Sequence, residues 1–214
     1  MKQVSQEARY RQMMEEPVYT LIPRLAVPTI VSMLVTAVYN MADTYFVSQL
    51  GTSPSAAVGV VFSLMTGIQA VAFMIGMGCG NEIARLLGQK EIEEAERYVA
   101  TGFFTEILVG TLLAVLGIAC SGQLVYRLGA TPTIAPYAAS YTRYALLGVP
   151  FFMCSLGMNN MLRFQGNSFY SMLGIATGGI LNIFLDPLFI YVFHMGIAGA
   201  AVATSVSQMI SFCI

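Results

Sequence analysis

The sequence has few charged residues and no tryptophan. Only 10% of its 214 residues are Asp, Glu, Lys or Arg, whereas a soluble domain usually carries about 25%. Hydrophobic residues make up 57% of the chain, and the mean hydropathy is +0.71. This composition leaves too little polar surface to cover a water-facing globule. It predicts an all-α, polytopic protein embedded in the lipid bilayer.

Residues that bind metals or nucleic acids are also scarce. His194 is the only histidine, and the four cysteines lie far apart in apolar sequence (Cys79, Cys120, Cys154 and Cys213). One histidine and scattered cysteines do not match the spacing of a structural zinc site. The ten Lys and Arg residues form no basic cluster, so nucleic acid is excluded as a partner. We expect no resident cofactor and no enzyme activity.

Long apolar runs dominate what remains, and each is near the 20 residues needed to cross about 30 Å of hydrocarbon. After a polar tail over 1–22, we predict one six-helix domain over 23–214. Turn and capping residues separate the runs. The six predicted spans are about 24–50, 57–83, 98–121, 136–161, 170–193 and 198–214.

The positive charges predict an orientation for these spans. With a cytoplasmic N-terminus, the inner side carries most Lys and Arg residues (Lys2, Arg9, Arg11, Arg24, Arg85, Lys90, Arg97 and Arg163). The outer side then carries only Arg127, with Arg143 a couple of turns into the fourth span. This asymmetry matches the positive-inside rule. We therefore predict a multi-pass protein of the plasma (inner) membrane with its N-terminus in the cytoplasm.

Two carboxylates interrupt the apolar spans. Asp43 lies in the first span and Asp186 in the fifth. A carboxylate at the centre of a membrane helix costs roughly 2.5–3.5 kcal/mol on insertion scales, so it usually has a partner or a function. Tyr39 and Asn40 lie within about one turn of Asp43, and Asn182 lies one turn before Asp186.

The two carboxylates are predicted to share one depth. Each lies about seven residues before the outer end of its span, or roughly 10 Å below the surface at the rise of an α-helix. Thr204 lies about seven residues into the sixth span, which runs the other way. We therefore expect Asp43, Asp186 and Thr204 to meet, with neutral oxygens beside the two charges.

Prolines are expected to bend the helices that carry the carboxylates. Pro187 cannot donate a hydrogen bond to the carbonyl of Ile183, and Pro28 has the same effect in the first span. Freed carbonyls beside carboxylates suit the binding of a proton or Na⁺. Two nearby carboxylates in a low dielectric also do not both ionise easily. The residues thus predict a cation site at Asp43 and Asp186, with Na⁺ as the one metal ion considered.

Other interpretations of these residues stay open at this stage. Each Asp could serve only as a hydrogen-bonding residue between helices. We interpret Glu106 and Arg143 as structural residues that lie too far apart in depth to pair. An intramembrane aspartyl protease also uses two membrane carboxylates. The Tyr-Asp and Gly-x-Gly-Asp contexts of such proteases are missing here, since Ala42 precedes Asp43 and Leu185 precedes Asp186.

Several short segments, in this order and spacing, resemble the multidrug and toxic compound extrusion (MATE) family from Leu25 onward. They are Ala26-Val27-Pro28, Asn40-Met41-Ala42-Asp43-Thr44-Tyr45-Phe46-Val47, Ala84-Arg85-Leu86-Leu87-Gly88, Glu94-Ala95-Glu96-Arg97, Leu162-Arg163-Phe164-Gln165-Gly166-Asn167, Leu181-Asn182-Ile183-Phe184-Leu185-Asp186-Pro187 and Gly196-Ile197-Ala198-Gly199-Ala200-Ala201.

The resemblance implies one half of a twelve-helix exporter, whose two six-helix lobes face a central cavity. In many bacterial members the N-terminal lobe holds the coupling cation. The family's carboxylate, Asn, Asp and Thr map to Asp43, Asn182, Asp186 and Thr204. Its bending proline maps to Pro28. A further family Asn maps to Asn159, which lies closer to the cytoplasm by counting.

The implied function is secondary active efflux, an antiport of organic, often cationic, compounds against H⁺ or Na⁺. The expected partners are the lipid bilayer, small organic substrates, and a second six-helix lobe or a second copy of the chain. The chain is expected to be a fragment, because one lobe cannot enclose the central cavity. The alternatives are a related flippase for lipid-linked saccharides and a non-transporting fragment that serves as an assembly partner.

Overall fold

A computed structural model describes residues 16–213, and all of its regular structure there is helical. Residues 1–15, which include Lys2, Arg9 and Arg11 of the predicted tail, and Ile214 lie outside the described residues. The helices are α1 (Val18–Ser48), α2 (Thr52–Gly88), α3 (Ile92–Ala119), α4 (Ser121–Arg127), α5 (Ala135–Leu147), α6 (Val149–Phe164), α7 (Ser168–Pro187) and α8 (Ile197–Cys213).

The first three helices are long, apolar and joined by very short turns. Gly51, at φ +119°, separates α1 from α2, and Lys90, at φ +64°, lies between α2 and α3. α1 begins at Val18, inside the segment that the sequence assigns to the tail. The short helix α4 falls between the third and fourth predicted spans, where the sequence predicts no helix.

The fourth predicted span, 136–161, is bent. α5 and α6 meet at an angle of 55° around Gly148. The Gly148 N–H donates to the carbonyl of Ala145 rather than to that of Tyr144. Pro150 follows and has no N–H to donate. The hydroxyl of Ser205, on α8, donates to the carbonyl of Tyr144 over 2.9 Å, so a neighbouring helix satisfies the backbone group that the bend frees.

The fifth span also loses regular α geometry, at Pro187. A π-helical turn over Leu188–Val192 follows directly, and the Phe193 N–H donates to the carbonyl of Leu188 at 3.0 Å. His194 and Gly196, at φ +54° and +58°, then reverse the chain into α8. A wider helical turn after a proline is one way to rearrange the disrupted hydrogen bonds.

Small residues allow neighbouring helices to pack closely. A Cβ atom on Gly76 of α2 would lie 2.7 Å from the Cα atom of Gly157 on α6, so these two backbones approach closely. On α7, a Cβ atom on Gly179 would lie 2.9 Å from the ring of Tyr39 on α1. α1 packs mainly on α7, and much of its apolar surface is exposed.

Length and composition make this a membrane protein. Within residues 16–213, four helices are long and apolar enough to span a bilayer, or five if the bent α5–α6 pair is one span. The apolar helix α8 is shorter. The predicted all-α, polytopic class is therefore confirmed, and these four or five spans together with α8 agree roughly with the six predicted helices.

Candidate functional site

Asp43 and Asp186 lie on neighbouring helices at the same level. Tyr39 of α1 contacts α7 at Gly179, and both helices continue from there in the same direction. Tyr191, just after α7, donates to the carbonyl of Phe46 at 3.1 Å, which fixes the same ends of the two helices together. Asp43, one turn after Tyr39, is thereby level with the Asn182–Asp186 turn.

Asn182 connects Asp186 to α8. Its side-chain Nδ2 donates to Asp186 Oδ1 at 3.2 Å and to Thr204 Oγ1 at 3.3 Å. The carboxyl groups of Asp43 and Asp186 are close enough to interact electrostatically. We call Asp43, Asn182, Asp186 and Thr204 the carboxylate cluster. The structure thus brings together four of the predicted site residues from three helices.

Three oxygens of the carboxylate cluster have no hydrogen-bond donor among residues 16–213. They are Asp43 Oδ1, Asn182 Oδ1 and Asp186 Oδ2, and all three atoms are buried. Buried polar atoms are nearly always satisfied in native proteins. Carboxylate and amide oxygens accept protons and coordinate hard cations such as Na⁺.

No cluster of three His, Cys, Asp or Glu side chains in the described part of the chain could hold a metal ion. Any Na⁺ bound at the carboxylate cluster would therefore need neutral oxygens as well as the two carboxylates. Asn182 and Thr204 supply such oxygens, so the oxygen atoms of the cluster fit a small hard cation as well as a proton.

Tyr141 belongs beside the carboxylate cluster, and the sequence analysis missed it. Its buried phenol interacts electrostatically with Asp43 and Asp186 and lies beside the hydroxyl of Thr204. The depth argument that selected the carboxylates could have found it. Tyr141 lies about five residues into the fourth predicted span, which gives roughly 8 Å of depth from the same side.

Tyr39 and Asn40 border a cavity that also reaches Asp43. Its volume is about 380 Å³, which is within the range of small-molecule sites. α1 and α2 form its sides, and residues of α5, α6 and α8 line it as well. Asp43 and Thr204 line the cavity, and through them it adjoins the buried Asn182 and Asp186.

Asn159 lies in a different hydrogen-bonded group. Its Nδ2 donates to the carbonyl of Ser155 at 2.7 Å, and Ser155 Oγ is 3.2 Å from Ser211 Oγ. Ser211 donates to the carbonyl of Gly174 at 2.8 Å. Asn159 also lines the cavity. The structure therefore does not bring Asn159 into hydrogen-bond contact with the carboxylate cluster.

The two predicted hinge prolines have different surroundings. Pro28 lies inside α1, which stays one helix from Val18 to Ser48, and the Pro28 carbonyl accepts from Ser32 Oγ at 2.8 Å. Pro187 directly follows Asp186, and the π-helical turn begins at the next residue, Leu188. The sharpest bend, at Gly148, was not predicted.

Glu106 and Arg143 do not pair with each other. Arg143 Nε donates to Ser121 Oγ at 3.1 Å. Glu106 is fully buried in α3 against Gly157, and neither of its carboxyl oxygens has a hydrogen-bond partner among the described residues. Glu106 does not line the cavity.

Comparisons with known proteins agree with this architecture. The family model MatE matches residues 28–188. Among solved structures, a MOP superfamily transporter from Pyrococcus furiosus is similar, with a TM-score of 0.85 and 33% identity. That likeness covers 90% of this chain and 43% of the other. The binding pocket of that transporter has a reverse polarity, which suggests that its function is different.

Curated relatives are similar over nearly the whole chain. The multidrug export protein MepA of Staphylococcus haemolyticus is 24% identical over 198 residues, which is 92% of this chain and 44% of MepA. The FAD transporter of Shewanella oneidensis is 26% identical over 203 residues, which is 93% of this chain and 45% of that protein. The chain therefore spans a little under half the length of these relatives. With three quarters of its length matched by the family model, the chain belongs to the MatE family of membrane transporters.

Proposed function

We propose that this chain is the N-terminal lobe of a secondary active exporter, which moves organic compounds out of the cell in exchange for H⁺ or Na⁺. The observation that carries the proposal is the carboxylate cluster. It gathers two carboxyl groups, an amide and a hydroxyl from α1, α7 and α8 beside a cavity. Ionisable residues inside a membrane are typical of ion pathways.

The coupling cation binds at Asp43 and Asp186 in this proposal. A cation there offsets the negative charge of two nearby carboxyl groups. A proton would supply a hydrogen-bond donor to oxygens that otherwise have none, and Na⁺ would be coordinated by the same oxygens. It changes transport only through a difference in its affinity for the inward-open and outward-open states. Because Asp43 borders the cavity and Asp186 lies behind it, a shift of α1 against α7 would change both the site and the cavity.

A second lobe completes the transport path. The chain spans 44% of MepA, a little under half of that protein. The other half of the proposed transporter is a second six-helix lobe or a second copy of this chain. We place the complete transporter in the plasma membrane with the N-terminus of this lobe in the cytoplasm, following the distribution of Lys and Arg.

The test is gradient-driven efflux from vesicles that contain the complete transporter. Asp43→Asn keeps the shape of the side chain but removes its charge and its titration. We expect efflux driven by a proton or sodium gradient to fall at least tenfold. Ser48→Ala, on the same helix and outside the cavity, is the matched control and should behave as wild type.

Undiminished gradient-driven efflux in Asp43→Asn would end the proposal. Export of lipid-linked saccharides and no gradient-driven efflux of small organic compounds would instead favour a flippase. If the chain has no transport activity in any assembly but binds a partner in the membrane, it is an assembly partner.

A further inference from the structure

Arg163 is the second charged residue of the cavity. Among the cavity-lining residues of the described chain, only Asp43 and Arg163 carry a charge. Arg163 is near the end of α6, and its Nε donates to Ser171 Oγ at 3.0 Å, at the beginning of α7. Ser171 precedes Asn182 by about three helical turns, or roughly 16 Å. The positive and negative charges therefore lie at opposite ends of one cavity.

The charge of Arg163 is not neutralised by an acidic residue in the described part of the chain. Three exposed arginines are ion-paired: Arg24 with Glu16, Arg85 with Glu82, and Arg97 with Glu93 and Glu94. Arg163 is half-buried, and no carboxylate of residues 16–213 forms an ion pair with it. A desolvated cation without a counter-ion is unfavourable unless a ligand supplies the negative charge.

The bond to Ser171 leaves the far edge of the guanidinium available. Only Nε is bonded within residues 16–213, so Nη1 and Nη2 remain for another acceptor. These two groups form a planar fork that matches phosphate and carboxylate oxygens. The neutral Asn160, one turn earlier on α6, lines the same end of the cavity. The site thus has an oriented anion-binding group and an uncharged polar neighbour.

We propose that Arg163 binds an anionic group, a phosphate or a carboxylate, of the transported compound. This inference rests on the proposed function, because it assigns the substrate class of the same cavity. The rest of the compound is apolar or aromatic, since Phe62, Phe73 and Phe152 line the cavity between its two charged ends. The substrates are therefore organic anions or zwitterions rather than simple organic cations.

A phospholipid headgroup has the same chemistry as a phosphate-bearing substrate. Arg163 lies near the end of a membrane helix, where arginine can also reach lipid phosphates. The test therefore uses the complete transporter in a maltoside detergent, which contains no phosphate. Riboflavin and flavin mononucleotide are matched soluble probes that differ by one phosphate, and dioctanoyl phosphatidic acid is the lipid probe.

Binding is measured by quenching of flavin fluorescence, with and without the lipid as competitor. We expect wild type to bind flavin mononucleotide roughly tenfold to a hundredfold more tightly than riboflavin, as charge-assisted hydrogen bonds allow. Arg163→Gln should abolish this preference and leave riboflavin binding unchanged, which shows that the cavity is intact. Arg97→Gln, a cytoplasmic-end variant outside the cavity, should keep the preference.

Equal binding of the two flavins by wild type, or binding of neither probe nor lipid, would overturn the assignment. An Arg163-dependent affinity for phosphatidic acid alone would also overturn it, because the bound anion is then a lipid headgroup and not part of a transported compound. Asp43→Asn distinguishes this inference from the antiport proposal. It should abolish gradient-driven transport and leave the preference for flavin mononucleotide intact. The antiport proposal and the anion-site inference can therefore fail independently of each other.

Discussion

Asp186 and Glu106 are both buried acidic residues, but their surroundings differ. Asp186 and Glu106 are both 0% exposed, and each lies in a helix that crosses the apolar bundle. Asp186 accepts a hydrogen bond from Asn182, interacts with Asp43 and adjoins the cavity. Glu106 packs on Gly157, has no hydrogen-bond partner within residues 16–213, and does not line the cavity.

The difference shows which property of a membrane carboxylate points to ion exchange. Both residues are buried, and both carry the cost of placing a charge in hydrocarbon, so neither property distinguishes them. Only Asp186 has a second carboxylate, neutral oxygens and a cavity through which a cation could arrive. Glu106 has none of these, and its place between α2, α3 and α6 is that of a packing residue.

The largest expected effect separates these two residues by function. Asp186→Asn should lower gradient-driven efflux by the complete transporter at least tenfold, because the amide cannot release a proton or hold Na⁺ as a carboxylate does. Glu106→Gln, the matched change, should leave efflux within about twofold, since a neutral group of the same shape suits an apolar site. If the two variants lose efflux equally in vesicle assays, the two sites do not differ in function.

The next effect concerns stability at Glu106. A Cβ atom on Gly157 would lie 2.8 Å from the Glu106 carboxyl carbon and closer still to Oε1. Gly157→Ala should therefore destabilise the fold by about 1–3 kcal/mol through overpacking. The thermal unfolding midpoint of the purified transporter measures this loss. Gly78→Ala is the control and should not lower the midpoint, because a Cβ atom there meets no atom of a neighbouring helix within 4 Å.

A smaller effect is expected at the hydroxyl of Thr204. Thr204→Val keeps the shape and removes one acceptor for Asn182, a loss of about 1 kcal/mol. The cation concentration that gives half-maximal efflux should rise by roughly fivefold. Thr204→Ser, which keeps the hydroxyl, should stay near wild type. A wild-type cation dependence in Thr204→Val would remove Thr204 from the site.

The sequence predicted the class of the fold because hydropathy governs it. Backbone groups in lipid must bond within their own helix, so long apolar runs can be assigned as membrane helices. The bend at Gly148 was not predicted, since it depends on the Ser205 hydroxyl of a distant helix to satisfy the carbonyl of Tyr144. The residues next to Gly148 and Pro150 in the sequence do not predict that contact.

Counting residues along the predicted helices identified most of the candidate site but not all of it. The equal depths of Asp43, Asp186 and Thr204 agree with their positions because the helix rise is nearly constant. Depth does not reveal which side of a helix faces a partner. Asn159, which the family resemblance selected and counting placed nearer the cytoplasm, lies in a separate hydrogen-bonded group. Tyr141 has a suitable depth but was overlooked beside the carboxylates.

Direct cation binding to the purified complete transporter tests the central claim, that Asp43 and Asp186 form one site. Proton uptake after a small acid step and retention of radioactive sodium are measured in parallel for wild type, Asp43→Asn, Asp186→Asn and the double variant. We predict that either single change removes the same bound cation and that the double variant loses no more. Binding that survives each single change, or losses that add in the double variant, would contradict a shared site.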